Sequence, residues 1–223
     1  KIGRAVPNLP HISPQIVLGP FRDFLFLVVE YDFTELYEAL EEVESARSRL
    51  HDIAMKDALT GVHSLHYMQE AADAELAHAA LDKQPLWLMF IDLDGFKAIN
   101  DNFSHSAGDE VLREVARRLQ EVICESDLLA RIGGDEYVLL SHASSRADSE
   151  RMAQRILDCL HEPIPVEGAQ ARVSASIGIA SNKGSVTKPH DLLHHASLAM
   201  EDAKRQGRNT WQWYCGDSID NIA

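Results

Sequence analysis

The sequence predicts an α/β (α+β) fold built around a central mixed sheet, and three observations carry that reading. From Asp57 onward, segments with apolar residues at helical spacing alternate with short apolar runs of strand character. A Gly133-Gly134 pair between two such runs marks a two-residue hairpin, because primed turns need positive φ. The 223 residues are 45% hydrophobic and 25% charged, a folded chain's composition, and long enough to bury a core without disulfides or structural metal.

Residues 1–32 hold Pro7, Pro10, Pro14 and Pro20 and read as an irregular lead-in or the tail of an upstream domain. Within them Phe24 to Val29 is apolar but flanked by Arg22, Asp23 and Glu30, far short of the ~20 residues that span a bilayer. It reads as a buried strand or packing segment. No secretory signal opens the chain, and the start at Lys1 reads as a fragment of something longer. Residues 33–55 form an amphipathic linker helix. Phe33, Leu36, Leu40, Val43, Arg47, Leu50 and Ala54 recur at steps of three and four, with Glu35, Glu38, Glu41, Glu42 and Glu44 off the seam. The seam suits a dimerising or signal-carrying helix, and equally a helix lying on its own domain.

The domain proper spans 56–215, with a tail at 216–223. Helical spacing covers Leu65 to Leu81. Pro85 then introduces the strand-like run Leu86 to Ile91. A helix follows near Gly108 to Val122, then strands at Leu128 to Ile132 and Tyr137 to Leu140. Helices are expected at Asp148 to Leu160 and Pro189 to Arg205, with a central strand at Arg172 to Ala180 between them.

Charge narrows the function classes. Twenty-one Lys and Arg against 35 Asp and Glu leave −14, which disfavours a nucleic-acid polymer as partner. A small anionic nucleotide fits if a divalent metal bridges it to carboxylates. Cys124, Cys159 and Cys215 have no CxxC spacing and read as reduced thiols of a cytoplasmic protein.

Two acidic clusters carry the chemistry. In Phe90-Ile91-Asp92-Leu93-Asp94-Gly95-Phe96-Lys97, carboxylates sit at the end of an apolar run, and a strand continuing through them points Asp92 and Asp94 the same way. An uncompensated buried carboxylate is expensive, so Asp92 is expected to hold a metal. Asp94 is expected to cap the helix that follows. In Arg131-Ile132-Gly133-Gly134-Asp135-Glu136-Tyr137, the glycines let a nucleotide approach the backbone and two acids follow at once on the outgoing strand. Alone, that cluster is equally an ordinary surface hairpin with solvated acids.

Together the clusters resemble the GGDEF family of diguanylate cyclases, which condense two GTP into cyclic di-GMP. The likeness runs from roughly Asp57 to Tyr214. It includes Asp57-Ala58-Leu59-Thr60-Gly61, Asn100-Asp101, His105-Ser106-Ala107-Gly108-Asp109, Ser176-Ile177-Gly178-Ile179 and Ala203-Lys204-Arg205-Gln206-Gly207-Arg208-Asn209. The resemblance implies a sheet wrapped by helices, like the palm of nucleotide cyclases and polymerases. It implies Asp135 and Glu136 as catalytic residues, and Asp92, the Leu93 carbonyl, Asp135 and Glu136 as ligands of Mg2+, with Mn2+ as the substitute. Asn100 and Asp109 would read guanine, and Asp109 would also cap its helix. His105, Lys97, Gly133, Gly134, Lys204 and Arg208 would complete the GTP site. One GTP per domain implies a homodimer, and no membrane segment is expected in this chain.

Four departures stand out. Tyr137 replaces Phe, Ser104 replaces Gly, and Ser64-Leu65-His66 replaces an Asn-Arg-Arg run, which bears on the local helix start and on activity. Cys124-Glu125-Ser126-Asp127 replaces the product-binding Arg-x-x-Asp, leaving Asp127 and Arg155 as a residual product site with weak inhibition. The alternative is a degenerate domain that binds GTP and regulates a partner. A further reading makes the 33–55 helix the working part of a signalling relay.

Overall fold

The computed structural model describes residues 15–16, 29–30, 34–182, 188–214 and 216. The proline positions of the lead-in, residues 24–28, Phe33 and Cys215 lie outside them. The chain forms two units, Lys1–Asp52 and Ile53–Ala223.

In the first unit, β1 (Gln15–Ile16) pairs antiparallel with β2 (Val29–Glu30). Helix α1 (Thr34–Ala54) follows and runs across the unit boundary. Its seam residues Leu36, Leu40 and Val43 are exposed, as is Tyr37.

The second unit is a mixed six-stranded sheet with helices on both faces. Its strands are β3 (His63–Ser64), β4 (Trp87–Asp94), β5 (Leu128–Gly133), β6 (Glu136–Ser141), β9 (Ser174–Ser181) and β10 (Thr210–Trp213). The spatial order is β10-β9-β4-β6-β5-β3. Strand β4 is antiparallel to both neighbours, while β10 and β3 add parallel edges. Every residue of β4 is buried, which is why its sequence reads as an unbroken apolar run ending in acids.

The helices are α2 (Leu65–Asp82), α3 (Phe96–Asn102), α4 (His105–Val122), α5 (Arg146–His161) and α6 (Pro189–Arg205). A short hairpin of β7 (Ile164–Val166) and β8 (Ala169–Ala171) stands apart from the main sheet. Met89, Ile91 and Leu93 of β4 join a core with Val111 and Val115 of α4 and Ile156 of α5. Leu88 and Phe90 join a second core with Met68 of α2 and Ala196 and Met200 of α6. The period of two therefore sends Asp92 and Asp94 to the α6 face.

Helix α6 lies hard against β9 because Gly178 has no side chain. A Cβ there would stand 1.9 Å from the Ala196 carbonyl oxygen and 2.2 Å from the Met200 nitrogen.

Three local expectations are corrected. Helix α4 starts at His105 rather than near Gly108, and its cap is Ser104, whose Oγ accepts from the Ala107 N–H at 3.0 Å. Asp109 is not the cap. Asp94 does not cap α3 either: Gly95 takes that position with φ 81° and no side-chain bond, while pairing of β4 with β9 carries Asp94 opposite Ser174. Ser64, in the stretch that departs from the family run, caps α2 by accepting from Tyr67 N–H at 3.2 Å and donates to the Ala54 carbonyl at 2.6 Å. Sequence reading anticipated a helix after Asp94 without giving its bounds, and missed the β7–β8 hairpin, β10 and the two-residue β3.

Candidate active site

The site lies where β4 ends beside the β5–β6 hairpin. Asp92 stands opposite Glu136 on β6 and opposite Ser176 on β9. Lys204, near the end of α6, places its Nζ 2.9 Å from Asp92 Oδ2 and 3.8 Å from Glu201 Oε1. Burial pushes the Asp92 carboxyl up, Lys204 pulls against it, and Asp135 and Asp94 add repulsion, leaving the group above the usual carboxylate range. Glu136 is likewise held up by burial, then by the charges of Asp92 and Asp135. Burial works against the Lys204 ammonium, but its hydrogen bond and ion pair to Asp92 win and raise it.

The hairpin is clamped at its base. Arg131 donates from Nε and Nη2 to the Gly134 carbonyl at 3.1 and 2.7 Å, and from Nη1 to both Asp57 oxygens at 3.0 and 3.2 Å. Asp57 also accepts from Thr60 N–H and Oγ1 at 2.9 and 2.5 Å. Burial alone would raise the Asp57 carboxyl, but the Thr60 bonds and the Arg131 guanidinium together hold it below its ordinary value. Leu93 N–H donates to the Asp135 carbonyl at 3.1 Å, tying the end of β4 to the acids of the turn. Tyr137 is fully buried and donates its hydroxyl to the Leu112 carbonyl at 2.9 Å, so the ring that replaces Phe here gains a partner.

Other predicted positions sit around this centre. Asn100 on α3 lies against α4: its Oδ1 is 2.0 Å from where a Cβ on Gly108 would stand, next in sequence to Asp109. Lys97 and His105 are exposed, at the starts of α3 and α4. Arg208 has left-handed backbone, φ 64°, and its Nε lies 3.8 Å from Asp94 Oδ1. Asp94 is saturated by donors, from Ser174 and Ser176 hydroxyls at 3.0 and 2.8 Å and from Asn209 N–H at 3.0 Å.

Asp127 and Arg155 are elsewhere. Asp127 accepts from Cys124 N–H at 2.9 Å and His142 N–H at 3.3 Å, and Arg155 donates to the Val122 carbonyl. Roles not assigned from sequence are the Asp57–Arg131 clamp, Glu201 beside Lys204, and the Ser174, Ser176 and Asn209 donors. Asp57 and Arg131 are far apart in the chain, and only their presence in two family motifs hinted at a pairing.

The donor chemistry fits a divalent cation. Asp92, Asp135 and Glu136 are hard oxygen donors that repel one another, and Lys204 already supplies a cation to one of them. Among the described residues no three His, Cys, Asp or Glu side chains converge into a ready cage. Also among the described residues, no helix is long and apolar enough to cross a membrane.

Comparison with known proteins agrees with this architecture. A family model described as "Diguanylate cyclase, GGDEF domain" matches residues 54–210. The diguanylate cyclase TpbB of Pseudomonas aeruginosa is 38% identical over 205 residues, 85% of this chain and 47% of TpbB. MucR of the same species, a bifunctional diguanylate cyclase/cyclic di-GMP phosphodiesterase, is 36% identical over 169 residues, 76% of this chain and 25% of MucR. The chain thus spans about a quarter to a half of these relatives. The solved GGDEF domain of TpbB superposes with a TM-score of 0.69 at 37% identity, covering 71% of this chain and 94% of that domain. With its Gly133–Glu136 hairpin inside the matched span, the chain belongs to the GGDEF-domain family of diguanylate cyclases.

Proposed function

We propose that this chain is a working diguanylate cyclase domain that joins two GTP molecules into cyclic di-GMP and releases two pyrophosphates, as a homodimer. The observation that carries the proposal is the meeting of Asp92, Glu136 and Lys204 at one end of the sheet, with Asp135 in the adjoining turn. In each half-reaction a 3′-hydroxyl attacks the α-phosphorus of the other nucleotide. The bond from that phosphorus to the bridging oxygen breaks, and pyrophosphate leaves.

Asp92, Asp135, Glu136 and the Leu93 carbonyl would hold Mg2+ or Mn2+, which supplies charge neutralisation at the phosphates and acidifies the attacking hydroxyl. The residues of the chain then position the reactants, the main requirement of phosphoryl-type transfer. Asn100 and Asp109 read the guanine edge: a carboxylate accepts from the ring N–H and amino group together, which adenine cannot offer. Gly133 and Gly134 let the phosphates approach the backbone. Lys97, Lys204 and Arg208 neutralise them, and His105 lies at the rim. Asp135 or Glu136 receives the hydroxyl proton. Each domain holds one GTP, so two must face each other, and the exposed Leu36, Leu40 and Val43 stripe of α1 offers a contact for pairing.

Mass detection of product after incubating the purified chain with GTP and Mg2+ tests the proposal. Cyclic di-GMP with pyrophosphate is expected. GTP binding without product would replace it with a regulatory GTP-binding domain.

A further inference from the structure

The geometry points to Asp94 as the positioning residue of the GTP site: from inside the sheet it fixes the Gly207–Asn209 turn, and so the direction in which Arg208 presents its guanidinium. This rests on the reading of Arg208 as a phosphate ligand.

Asp94 is almost fully buried and binds no cation tightly, yet both its oxygens are occupied. Oδ2 accepts from Ser174 Oγ at 3.0 Å and from the Asn209 N–H at 3.0 Å, and Oδ1 accepts from Ser176 Oγ at 2.8 Å and faces Arg208 Nε at 3.8 Å. The Asn209 bond is the informative one, because the turn it holds is strained. Gly207, Arg208 and Asn209 have φ of 115°, 64° and 48°; Gly and Asn tolerate left-handed backbone, but arginine rarely adopts it.

Helix-terminating bonds account for the amides of the preceding residues. Gln206 N–H reaches the Asp202 carbonyl, Gly207 N–H that of Lys204, and Arg208 N–H that of Ala203. Asn209 N–H is turned away from α6, and its acceptor is a strand side chain 115 positions earlier. Immediately beyond, Thr210 pairs with Ser176, itself a donor to Asp94. One carboxylate thus joins β4, β9 and the entry to β10, and does so beside the residue whose charge must face the nucleotide. Lys204 needs no such help, since it projects from the helix itself.

The experiment uses the full chain with three substitutions. Asp94→Ala is expected to speed hydrogen exchange at the Asn209 amide at least about tenfold. It should raise the KM for GTP about tenfold with kcat changed less than about threefold, because the phosphate contact is misdirected while Asp92, Asp135 and Glu136 remain, Asp92 losing only the smallest of the charges that act on it. Asp94→Asn keeps one oxygen for the Asn209 amide. It should retain most of the exchange protection and raise KM only about threefold. Arg208→Ala should raise KM by itself, and adding Asp94→Ala to it should cause little further rise, since the two act through one contact.

Additive KM effects, an unchanged KM in Asp94→Ala beside a raised one in Arg208→Ala, or unchanged Asn209 exchange would each overturn the inference. If Arg208→Ala leaves KM unchanged, the phosphate assignment of Arg208 falls and the positioning role with it. Exchange at Asn209 would still respond to Asp94→Ala, so that failure is distinguishable from a missing anchor. Should Asp94→Ala not fold, Asp94→Asn paired with Arg208→Ala decides by the same non-additivity.

Discussion

The end of β4 and the Cys124–Asp127 turn both present acids near an arginine or lysine, and the two regions treat them oppositely. At the end of β4, Asp92 is buried and Glu136 half-buried opposite it, with Asp135 adjoining, and both carboxyls are pushed up. In the turn, Asp127 accepts two backbone N–H groups and Arg155 is committed to a backbone carbonyl. An acid cluster under mutual repulsion is suited to bind a cation from solution. An acid saturated by amides is holding its own loop together. The comparison separates a site that costs stability from a turn that supplies it.

The largest effect should come from the repelled cluster. Asp135→Ala and Asp92→Ala are each expected to lower turnover by about a thousandfold or more while the circular dichroism spectrum stays native, because neither acid packs the core. Near-normal turnover of either variant at saturating Mg2+ would remove it from the metal set.

Next is the turn as a residual product site. With Cys124 in place of arginine, micromolar cyclic di-GMP should scarcely slow the initial rate at saturating GTP. Cys124→Arg should tighten inhibition about tenfold to a hundredfold by supplying a charged fork of donors. No gain in inhibition would show that Asp127 and Arg155 stay locked to the backbone.

Smaller effects, of opposite sign, sharpen the contrast. Asp127→Ala leaves the Cys124 and His142 amides without their acceptor and should lower stability by about 1 kcal/mol, or about 2–4 °C in Tm. Glu136→Gln should instead raise Tm by about 1–2 °C at pH 7 without divalent cation. The sign follows from proton binding: the folded state raises the Glu136 carboxyl, so it holds the proton more tightly than the unfolded chain does. Its ionisation therefore costs stability as pH rises through the carboxylate range. The gain from Glu136→Gln should fade through about pH 4 and vanish near about pH 3, where the glutamate is protonated in both states. A gain that persisted there would assign it to packing instead of charge.

What could be read from the sequence follows the range of the interaction. The β4 strand and helices α2, α5 and α6 are written in local periodicity and emerged close to their observed bounds. The hairpin turn instead falls one residue later than Gly133-Gly134, at Gly134–Asp135, because a bulge keeps Gly133 in β5 and leaves only Glu136 on the outgoing strand. Helix α3 was expected only as the helix that follows Asp94, and at seven residues it is too brief for its period to set its bounds. Strand β10 is an edge whose side chains are only half-buried, so its alternation is weak. Asp94 was misassigned because a carboxylate before a helix looks locally like a cap. Its true partners, Ser174, Ser176 and Asn209, come from the other half of the domain. Ser104 and Ser64 show a different failure: two positions that depart from the family pattern are ordinary helix caps, a local device overlooked when the α4 start was placed near Gly108 and Asp109 was taken for its cap.

Gly178 has a mechanical consequence. At Gly178 the backbone of α6 sits directly on β9 with no side chain between them, so at that point the helix cannot approach closer or admit a larger residue without moving away from the strand. That seat lies within the helix that carries Lys204, whose ammonium reaches Asp92 at 2.9 Å, so a side chain at position 178 would displace the lysine from the acid it pairs with.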